Sequence, residues 1–241
     1  MTMTPTGPGR PPTPEENQAT WTAVDDYFCQ ALIPGDDAMD EAQRSSAAAG
    51  LPAISVSAAQ GKLLHLLARS IGARRILEVG TLGGYSTIWL ARAIRSPGVL
   101  ITLELDPRHA QVARGNVDRA GVGDLVDIRI GPAAESLAAL AGTRPQPFDF
   151  VFIDADKTSN ALYFDYAVHL GRPGTVIVVD NVVRSGRVAD STSRDQAVRG
   201  VHDLVSTLAA SKGVDATAIQ TVGTKGYDGF ILALVGDGSR D

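Results

Sequence analysis

Cysteine is nearly absent from this chain of 241 residues, in which Cys29 is the only one. A single thiol excludes an intrachain disulfide, so a reducing compartment, the cytoplasm, is expected. Histidine is also scarce. The four histidines, at positions 65, 109, 169 and 202, show no spacing typical of metal ligands and are interpreted as structural or surface residues.

Long apolar runs are missing too. No run approaches the roughly 18–20 residues of a membrane-spanning helix, so no membrane partner is expected. The N-terminal MTMTPTGPGRPPTP has no apolar centre of the kind found in signal peptides, and its composition predicts a flexible tail over residues 1–13. The net charge of −5 argues against a general nucleic-acid binder.

The remaining composition suits one globular domain. Hydrophobic residues make up 44% and charged residues 20% of the chain, and no internal repeat is visible. The chain length favours one α/β domain with an accessory segment. We therefore expect a single domain over residues 14–241, with a helical part over 14–72 and an α/β core over 74–235.

Helical periodicity marks the N-terminal part. Apolar residues recur at spacings of three and four in WTAVDDYFCQALI and again in SAAQGKLLHLLARSIG. Ser57 is a candidate cap for the second of these helices and Gly72 a candidate stop. The segment between them, SSAAAGLPAISV, is interpreted as a linker or lid.

From about residue 74, short β-rich runs alternate with helical stretches. Strands that are apolar throughout are typical of a parallel sheet covered on both faces, and repeated βα units predict a doubly wound sheet. The runs ATAIQTVG and GFILALVG, joined by TKGYD, predict an antiparallel hairpin at one edge. The expected fold is thus α/β, with a doubly wound, mostly parallel seven-stranded sheet.

A glycine-rich turn, EVGTLGGYS, follows the first strand and opens a helix. Gly80 and Gly84 would let the backbone lie close to a ligand, and Glu104, at the end of strand two, could accept hydrogen bonds from ribose hydroxyls. A dinucleotide site is the main alternative, although Glu78 would repel a pyrophosphate and attract an amino-acid ammonium group instead. The turn therefore favours S-adenosylmethionine (SAM), while a tight turn with a surface acid remains an alternative.

Polar residues also end two later strands, VFIDADK and TVIVVDN. In doubly wound sheets, ligands bind beyond the carboxyl ends of the strands. Asp154, Asp180 and Asn181 offer oxygen ligands of the kind that Mg²⁺ binds, leaving positions for two hydroxyls of a substrate. Lys157, about one helical turn after Asp154, could act as a general base.

Several of these residues have structural alternatives. Asp156 could equally cap the next helix, and Thr158 and Ser159 are interpreted as capping residues. A purely structural account of the strand-end acids also stays open. Arg184 and Arg187 could meet an anionic substrate group, but a solvated loop is the favoured interpretation.

Together, EVGTLGGYS, LELDP, FIDADK and VVDNV resemble the cation-dependent class I O-methyltransferases, which include catechol and caffeoyl-CoA O-methyltransferases. The similarity covers roughly residues 55–235 and implies a Rossmann-like methyltransferase fold, a homodimer, and N-terminal helices that shape the acceptor pocket. It implies Lys157 as the catalytic base and three metal ligands, Asp154, Asp180 and Asn181. The cofactor-binding residues expected for SAM are Val56, Glu78, Gly80, Gly84, Ser86, Glu104, Ala133 and Asp154.

The sequence departs from the family pattern in two places, and both concern the acceptor. Many relatives carry an aromatic residue where this chain has Asn160, and the N-terminal region has no assignable match to a known acceptor pocket. We expect methylation of a small aromatic diol, either catechol-like or hydroxycinnamoyl, with Mg²⁺ or another divalent cation. The alternatives are methylation of a hydroxylated tRNA base, a nucleoside-binding protein without catalysis, and an NAD-dependent oxidoreductase.

Overall fold

The structure is a computed structural model that describes residues 13–237. The tail expected over residues 1–13 lies outside the described residues except for Thr13. This threonine begins the first helix through a reciprocal cap, in which its hydroxyl accepts from the Glu16 amide while the Glu16 carboxylate accepts from the Thr13 amide. Between residues 13 and 237, no helix has both the length and the apolarity needed to cross a membrane.

Three helices precede the sheet: α1 (Pro14–Leu32), α2 (Asp37–Ala48) and α3 (Ala58–Ser70). The predicted cap of the third is confirmed, because the Ser57 hydroxyl accepts from the Gln60 amide. The predicted linker was partly wrong: its first four residues belong to α2, which Asp36 caps. The segment without helix or strand covers only residues 49–57.

The core is a single sheet with strand order β3-β2-β1-β4-β5-β7-β6. The first five strands are parallel, and β7 lies antiparallel between β5 and β6, so the predicted hairpin at one edge is confirmed. The strands are β1 (Arg75–Val79), β2 (Val99–Glu104), β3 (Val126–Ile130), β4 (Phe150–Ile153), β5 (Val176–Asp180), β6 (Val214–Gly223) and β7 (Gly226–Val235).

Helices cover both faces of this sheet, as the apolar strands predict. Alternate side chains of one strand enter different cores: Phe150 and Phe152 pack on the side of α3 and α4, whereas Val151 and Ile153 pack on the side of α6 and α7. The helices after α3 are α4 (Tyr85–Ala91), α5 (Pro107–Arg119), α6 (Ala133–Gly142), α7 (Asn160–His169) and α8 (Gln196–Ala210).

The strand register places the polar strand ends side by side. Val79 pairs with Ile153, and Ile153 pairs with Val179. The residues that follow, Gly80, Asp154 and Asp180, therefore leave three adjacent strands at the same level of the sheet. Side chains from distant parts of the sequence thus converge at this edge.

The turn that carries Lys157 is held by close packing of α8. A Cβ atom on Gly200 would lie 2.0 Å from the Lys157 carbonyl oxygen, whereas a Cβ on Gly115, an exposed position in α5, would meet no atom within 4 Å. We expect Gly200→Ala to lower the free energy of unfolding by about 1–3 kcal/mol through overpacking. Gly115→Ala should raise it by about 0.5–1 kcal/mol.

Urea-induced unfolding followed by circular dichroism would measure both changes. Because both substitutions add one methyl group to a helix, equal effects at the two positions would contradict the close approach of α8 to the Lys157 turn.

Candidate active site

A cavity of about 810 Å³ opens beyond the carboxyl ends of the parallel strands. Its volume is in the usual range for small-molecule sites. Eight of the residues singled out by the sequence line it: Val56, Gly80, Ser86, Glu104, Ala133, Asp154, Lys157 and Asn181. Three others, Glu78, Gly84 and Asp180, lie beside or beneath this cavity and do not line it.

Glycine is required where the first loop passes the Asp154 strand end. Gly80 has a φ of +100°, and a Cβ there would lie 2.1 Å from the Asp154 carbonyl oxygen. Gly84 also has a positive φ, of +82°, but it packs against Ala113 of α5. Gly84 therefore shapes the start of α4 and does not line the cavity, and its predicted contact with the cofactor stays a prediction.

Glu78 is completely buried beneath the glycine loop. Three hydroxyls donate to its carboxylate: those of Ser86 at 2.6 Å, Thr87 at 2.5 Å and Thr102 at 2.7 Å. Burial raises the pKa of the Glu78 carboxyl to about 7, against the effect of these three donors. Only Ser86 of this group reaches the cavity, so Glu78 influences the cavity by its charge and through Ser86.

Glu104 orders the glycine loop from the end of β2. Its Oε2 accepts from the backbone amides of Thr81 and Leu82, at 3.1 and 2.8 Å. Its Oε1 accepts from the Asp106 amide and lies 3.4 Å from His109 Nδ1. The interpretation of His109 as merely structural or on the surface was wrong, because it lines the cavity beside Glu104.

Two carboxylates and one ammonium meet at the ends of β4 and β5. Lys157 Nζ donates to Asp154 Oδ1 at 2.9 Å. Asp180 is buried, and the backbone amide of Asn181 donates to its Oδ1 at 2.8 Å. Burial, followed by the negative charge of Asp154, raises the pKa of the Asp180 carboxyl to about 7. The raised pKa reflects a group in which two neighbouring carboxylates have one ammonium between them.

Such a pair of carboxylates fits a divalent cation. Asp154, Asp180 and Asn181 together supply oxygen atoms, the ligand type that Mg²⁺, Mn²⁺ and Ca²⁺ accept. Within residues 13–237, no group of three His, Cys, Asp or Glu side chains is arranged to hold a metal ion. Besides the two carboxylates, such an ion would thus depend on the side-chain amide oxygen of Asn181 and on oxygens from water or a substrate.

A second cavity, of about 480 Å³, adjoins the first. It lies between the N-terminal helices and the C-terminal hairpin, and Asp180 lines it. The hairpin turn is tied to the loop before α3, because Lys225 Nζ donates to the Ala53 carbonyl at 3.0 Å. The wall common to both cavities consists of Ile54, Ser55, Val56, Asn181 and Arg184. The acidic strand ends thus face two connected spaces.

Comparison with known proteins decides the family. A family model described as O-methyltransferase matches residues 33–234. The chain belongs to the O-methyltransferase family. The resemblance inferred from the motifs is therefore confirmed, and the chain is an O-methyltransferase.

Members of this family are similar over nearly the whole chain. A catechol O-methyltransferase of Niastella koreensis is 51% identical over 219 residues, which are 91% of this chain and 99% of that protein. The O-methyltransferase of Bacillus cereus solved with S-adenosylhomocysteine (SAH) has 54% identity and a TM-score of 0.89, covering 90% and 99% of the two chains. An O-methyltransferase of Streptomyces achromogenes, involved in tomaymycin synthesis and solved with SAM, has 49% identity and a TM-score of 0.88, covering 91% and 98%.

Asp156 is a cap, which resolves the alternative left open by the sequence. Its Oδ2 accepts from the Ser159 amide and the Thr158 hydroxyl, at 3.1 and 2.9 Å. Its Oδ1 accepts from the Tyr163 hydroxyl at 2.5 Å. Tyr163 in turn lines the larger cavity from α7, a placement that no motif indicated. Asp156 therefore fixes the start of the helix after Lys157 and the orientation of an aromatic ring.

The two loop arginines differ from each other. Arg187 is exposed and pairs with Asp195 at 2.6 Å, as a solvated loop predicts. For Arg184 that interpretation was wrong, because Arg184 is partly buried and lines both cavities. Asn160, the residue that departs from the family pattern, is fully buried, and neither atom of its amide has a hydrogen-bond partner.

The buried Glu78 carboxyl predicts a stability that depends on pH. Because burial raises its pKa from 4.5 to about 7, Glu78 contributes stability that is complete below pH 4.5 and is lost as the pH rises through about 7. Glu78→Gln removes this loss. We subtract the free energy of unfolding of the unmodified protein from that of the Glu78→Gln variant. This difference should increase by about 3 kcal/mol between about pH 4.5 and pH 8.

Urea titrations at the two pH values would measure this difference. Glu135→Gln, at an exposed position in the first turn of α6, is the matched control and should give the same difference at both. A Glu78→Gln difference that is also constant would contradict the buried state of this carboxyl.

Proposed function

We propose that this O-methyltransferase transfers a methyl group from SAM to one hydroxyl of a small aromatic diol, and that the reaction depends on Mg²⁺ or another divalent cation. The observation that carries the proposal is the meeting of Asp154, Lys157, Asp180 and Asn181 between two connected cavities. The name of the catechol O-methyltransferase relative supports the acceptor class.

The larger cavity is proposed to hold SAM. Its lining supports this assignment: Glu104 would supply a carboxylate acceptor for the ribose hydroxyls, and Gly80 would provide a close backbone surface. The negative charge of Glu78 beneath Ser86 would attract the ammonium group of the methionine part. Val56 and Ala133 supply apolar contacts from two sides. Relatives solved with SAH and with SAM support the same assignment.

The smaller cavity is proposed to hold the acceptor. Its volume of about 480 Å³ suits one substituted aromatic ring. Asp25 from α1, Gln60 from α3 and Thr221–Gly226 from the hairpin line it. We accordingly propose one domain, in which residues 14–72 form part of the acceptor pocket and residues 74–235 hold the cofactor.

The cation would be held by Asp154, Asp180 and Asn181. When bound, it would supply Lewis-acid chemistry that lowers the pKa of an acceptor hydroxyl. Asp154 would then bind the cation, and its salt bridge with Lys157 would be lost. Lys157, which lines the larger cavity and is nearly buried, would act as the general base in its neutral amine form, in which Nζ has the lone pair that accepts the hydroxyl proton. Asp154 and Lys157 line the larger cavity, Asp180 lines the smaller one and Asn181 lines both, so the chain's main contribution is alignment of the two reactants.

A diol screen with radiolabelled methyl donor, run with and without chelator, tests the proposal. We expect methylation of catechol or caffeate, loss of activity with chelator and recovery with Mg²⁺. Asp180→Asn should lower kcat/KM by about 100-fold or more and weaken Mn²⁺ binding measured by calorimetry.

Asp190→Asn is the control for this loss, because Asp190 is an exposed acid on the following loop, bonded to Thr192. It should leave kcat/KM within about twofold. Full activity in the presence of chelator would refute the cation dependence but not the methyl transfer.

A homodimer is proposed as the working form. Helix α1 has no buried residue and is attached to the hairpin by polar contacts, from Gln18 to the Gly223 carbonyl and from Thr224 to Asp25. Its apolar side chains remain largely exposed, with Tyr27 at 69% and Leu32 at 66%. Apolar residues of α3 and of the edge strand β6 are exposed as well, and together they offer an apolar surface for a second copy of the chain.

Phe28→Glu should disrupt this surface, because Phe28 is 53% exposed on α1. We expect a monomer by light scattering at concentrations where the unmodified protein is dimeric. Val205→Glu is the matched control, since Val205 is 47% exposed on α8, and it should remain dimeric. A monomeric unmodified protein would contradict the proposed dimer.

A further inference from the structure

Arg184 lies in a turn whose backbone is held in an unfavourable conformation. Its φ is +55°, and the φ of Ser185 is +56°, in the left-handed region that non-glycine residues rarely adopt. The Asp228 carboxylate holds this turn, because its Oδ1 accepts from the amides of Val183 and Arg184, each at 3.0 Å. Residues held in such conformations are concentrated at ligand sites. The turn therefore has a candidate role in binding.

One nitrogen of the Arg184 guanidinium has no hydrogen-bond partner among residues 13–237. This nitrogen, Nε, is buried. No residue between 13 and 237 forms a salt bridge with Arg184, in contrast to Arg187, which pairs with Asp195 at 2.6 Å. An arginine is always charged, and a buried donor without an acceptor is costly. The Nε of Arg184 is thus a donor for which the described residues supply no acceptor.

The neighbouring acids are engaged by other groups. Asp195 lies within electrostatic range of Arg184 and forms its salt bridge with Arg187. Asp228 is engaged by backbone amides, and the Asp25 carboxylate accepts from the amide and the hydroxyl of Thr224. Arg184 stands on the wall common to both cavities, three residues after Asn181. A ring whose two hydroxyls lie at the acidic strand ends would therefore have Arg184 within the same pocket.

We propose that Arg184 binds a carboxylate carried by the aromatic diol, so that the preferred acceptor is a dihydroxylated aromatic acid. This inference rests on the proposed function and narrows its substrate class. The planar guanidinium matches a carboxylate with two parallel hydrogen bonds, which fixes orientation as well as adding affinity. Arg184 is thus a specificity-determining residue, and the pocket selects for a negative charge beside the diol.

The cofactor offers a second source of the same chemistry, since the methionine part of SAM also carries a carboxylate and Arg184 lines the larger cavity too. The experiment has to separate the two. It uses 3,4-dihydroxybenzoate and its methyl ester, which have the same diol and differ in charge, together with SAH as the cofactor probe.

Arg184→Met keeps an unbranched side chain on the same backbone and removes the charge. We expect it to raise KM for dihydroxybenzoate at least about tenfold. KM for the methyl ester and Kd for SAH should stay within about threefold. Arg194→Met is the matched control, because Arg194 is an exposed arginine shortly before α8 that lines neither cavity, and it should change none of the three.

Calorimetric binding of the two diols to the SAH complex is the second measurement. The unmodified protein should bind the acid more tightly than the ester, and Arg184→Met should abolish this preference. Equal losses for acid and ester, or a loss confined to SAH, would overturn the inference. If the unmodified protein methylates neither diol, the proposed function fails, and the binding preference still decides the role of Arg184.

Discussion

Four carboxylates, those of Glu78, Glu104, Asp154 and Asp180, lie at or just below the carboxyl end of one parallel sheet, and all but Asp154 are buried. Burial of a negative charge is unfavourable unless donors or cations compensate for it. Hydroxyls compensate Glu78, backbone amides compensate Glu104, and Lys157 pairs with Asp154. Asp180 accepts from the Asn181 backbone amide, and burial and Asp154 raise its pKa to about 7. In the proposed reaction, a divalent cation would compensate the charges of Asp154 and Asp180 together.

The same strand ends divide the site into two spaces with different chemistry. The glycine loop and Glu104 surround the larger cavity, whereas the N-terminal helices and the hairpin enclose the smaller one. Asn181 and Arg184 stand on the wall between them, so a group bound there faces both. In the proposed reaction, this arrangement lets the sheet position the donor while the accessory helices select the acceptor. Specificity is shared with the core, because Arg184 and the hairpin turn also line the proposed acceptor cavity.

Much of this site was predictable, because strand-end residues of a doubly wound sheet meet wherever the chain returns to that edge. Gly80, Glu104, Asp154 and Lys157 all line one cavity as expected. For Arg184 the sequence left a substrate contact and a solvated loop open and favoured the loop, because its place at the cavity wall depends on a turn held by Asp228, 44 residues away. The cap formed by Asp156 was one of two equal interpretations, because a carboxylate after a strand suits either a cap or a ligand.

The sequence by itself determined the architecture and the set of reactive groups. Apolar strands alternating with helical periodicity allow few folds, and polar residues at the ends of such strands have one edge on which to gather. Only the tertiary structure decided which charges are compensated, that Gly84 supports a helix and does not line the cavity, and that the Arg184 Nε has no hydrogen-bond partner among the described residues. These properties depend on contacts between residues far apart in the chain. A local sequence pattern carries no information about which distant residues come into contact. The burial of a side chain depends on those contacts.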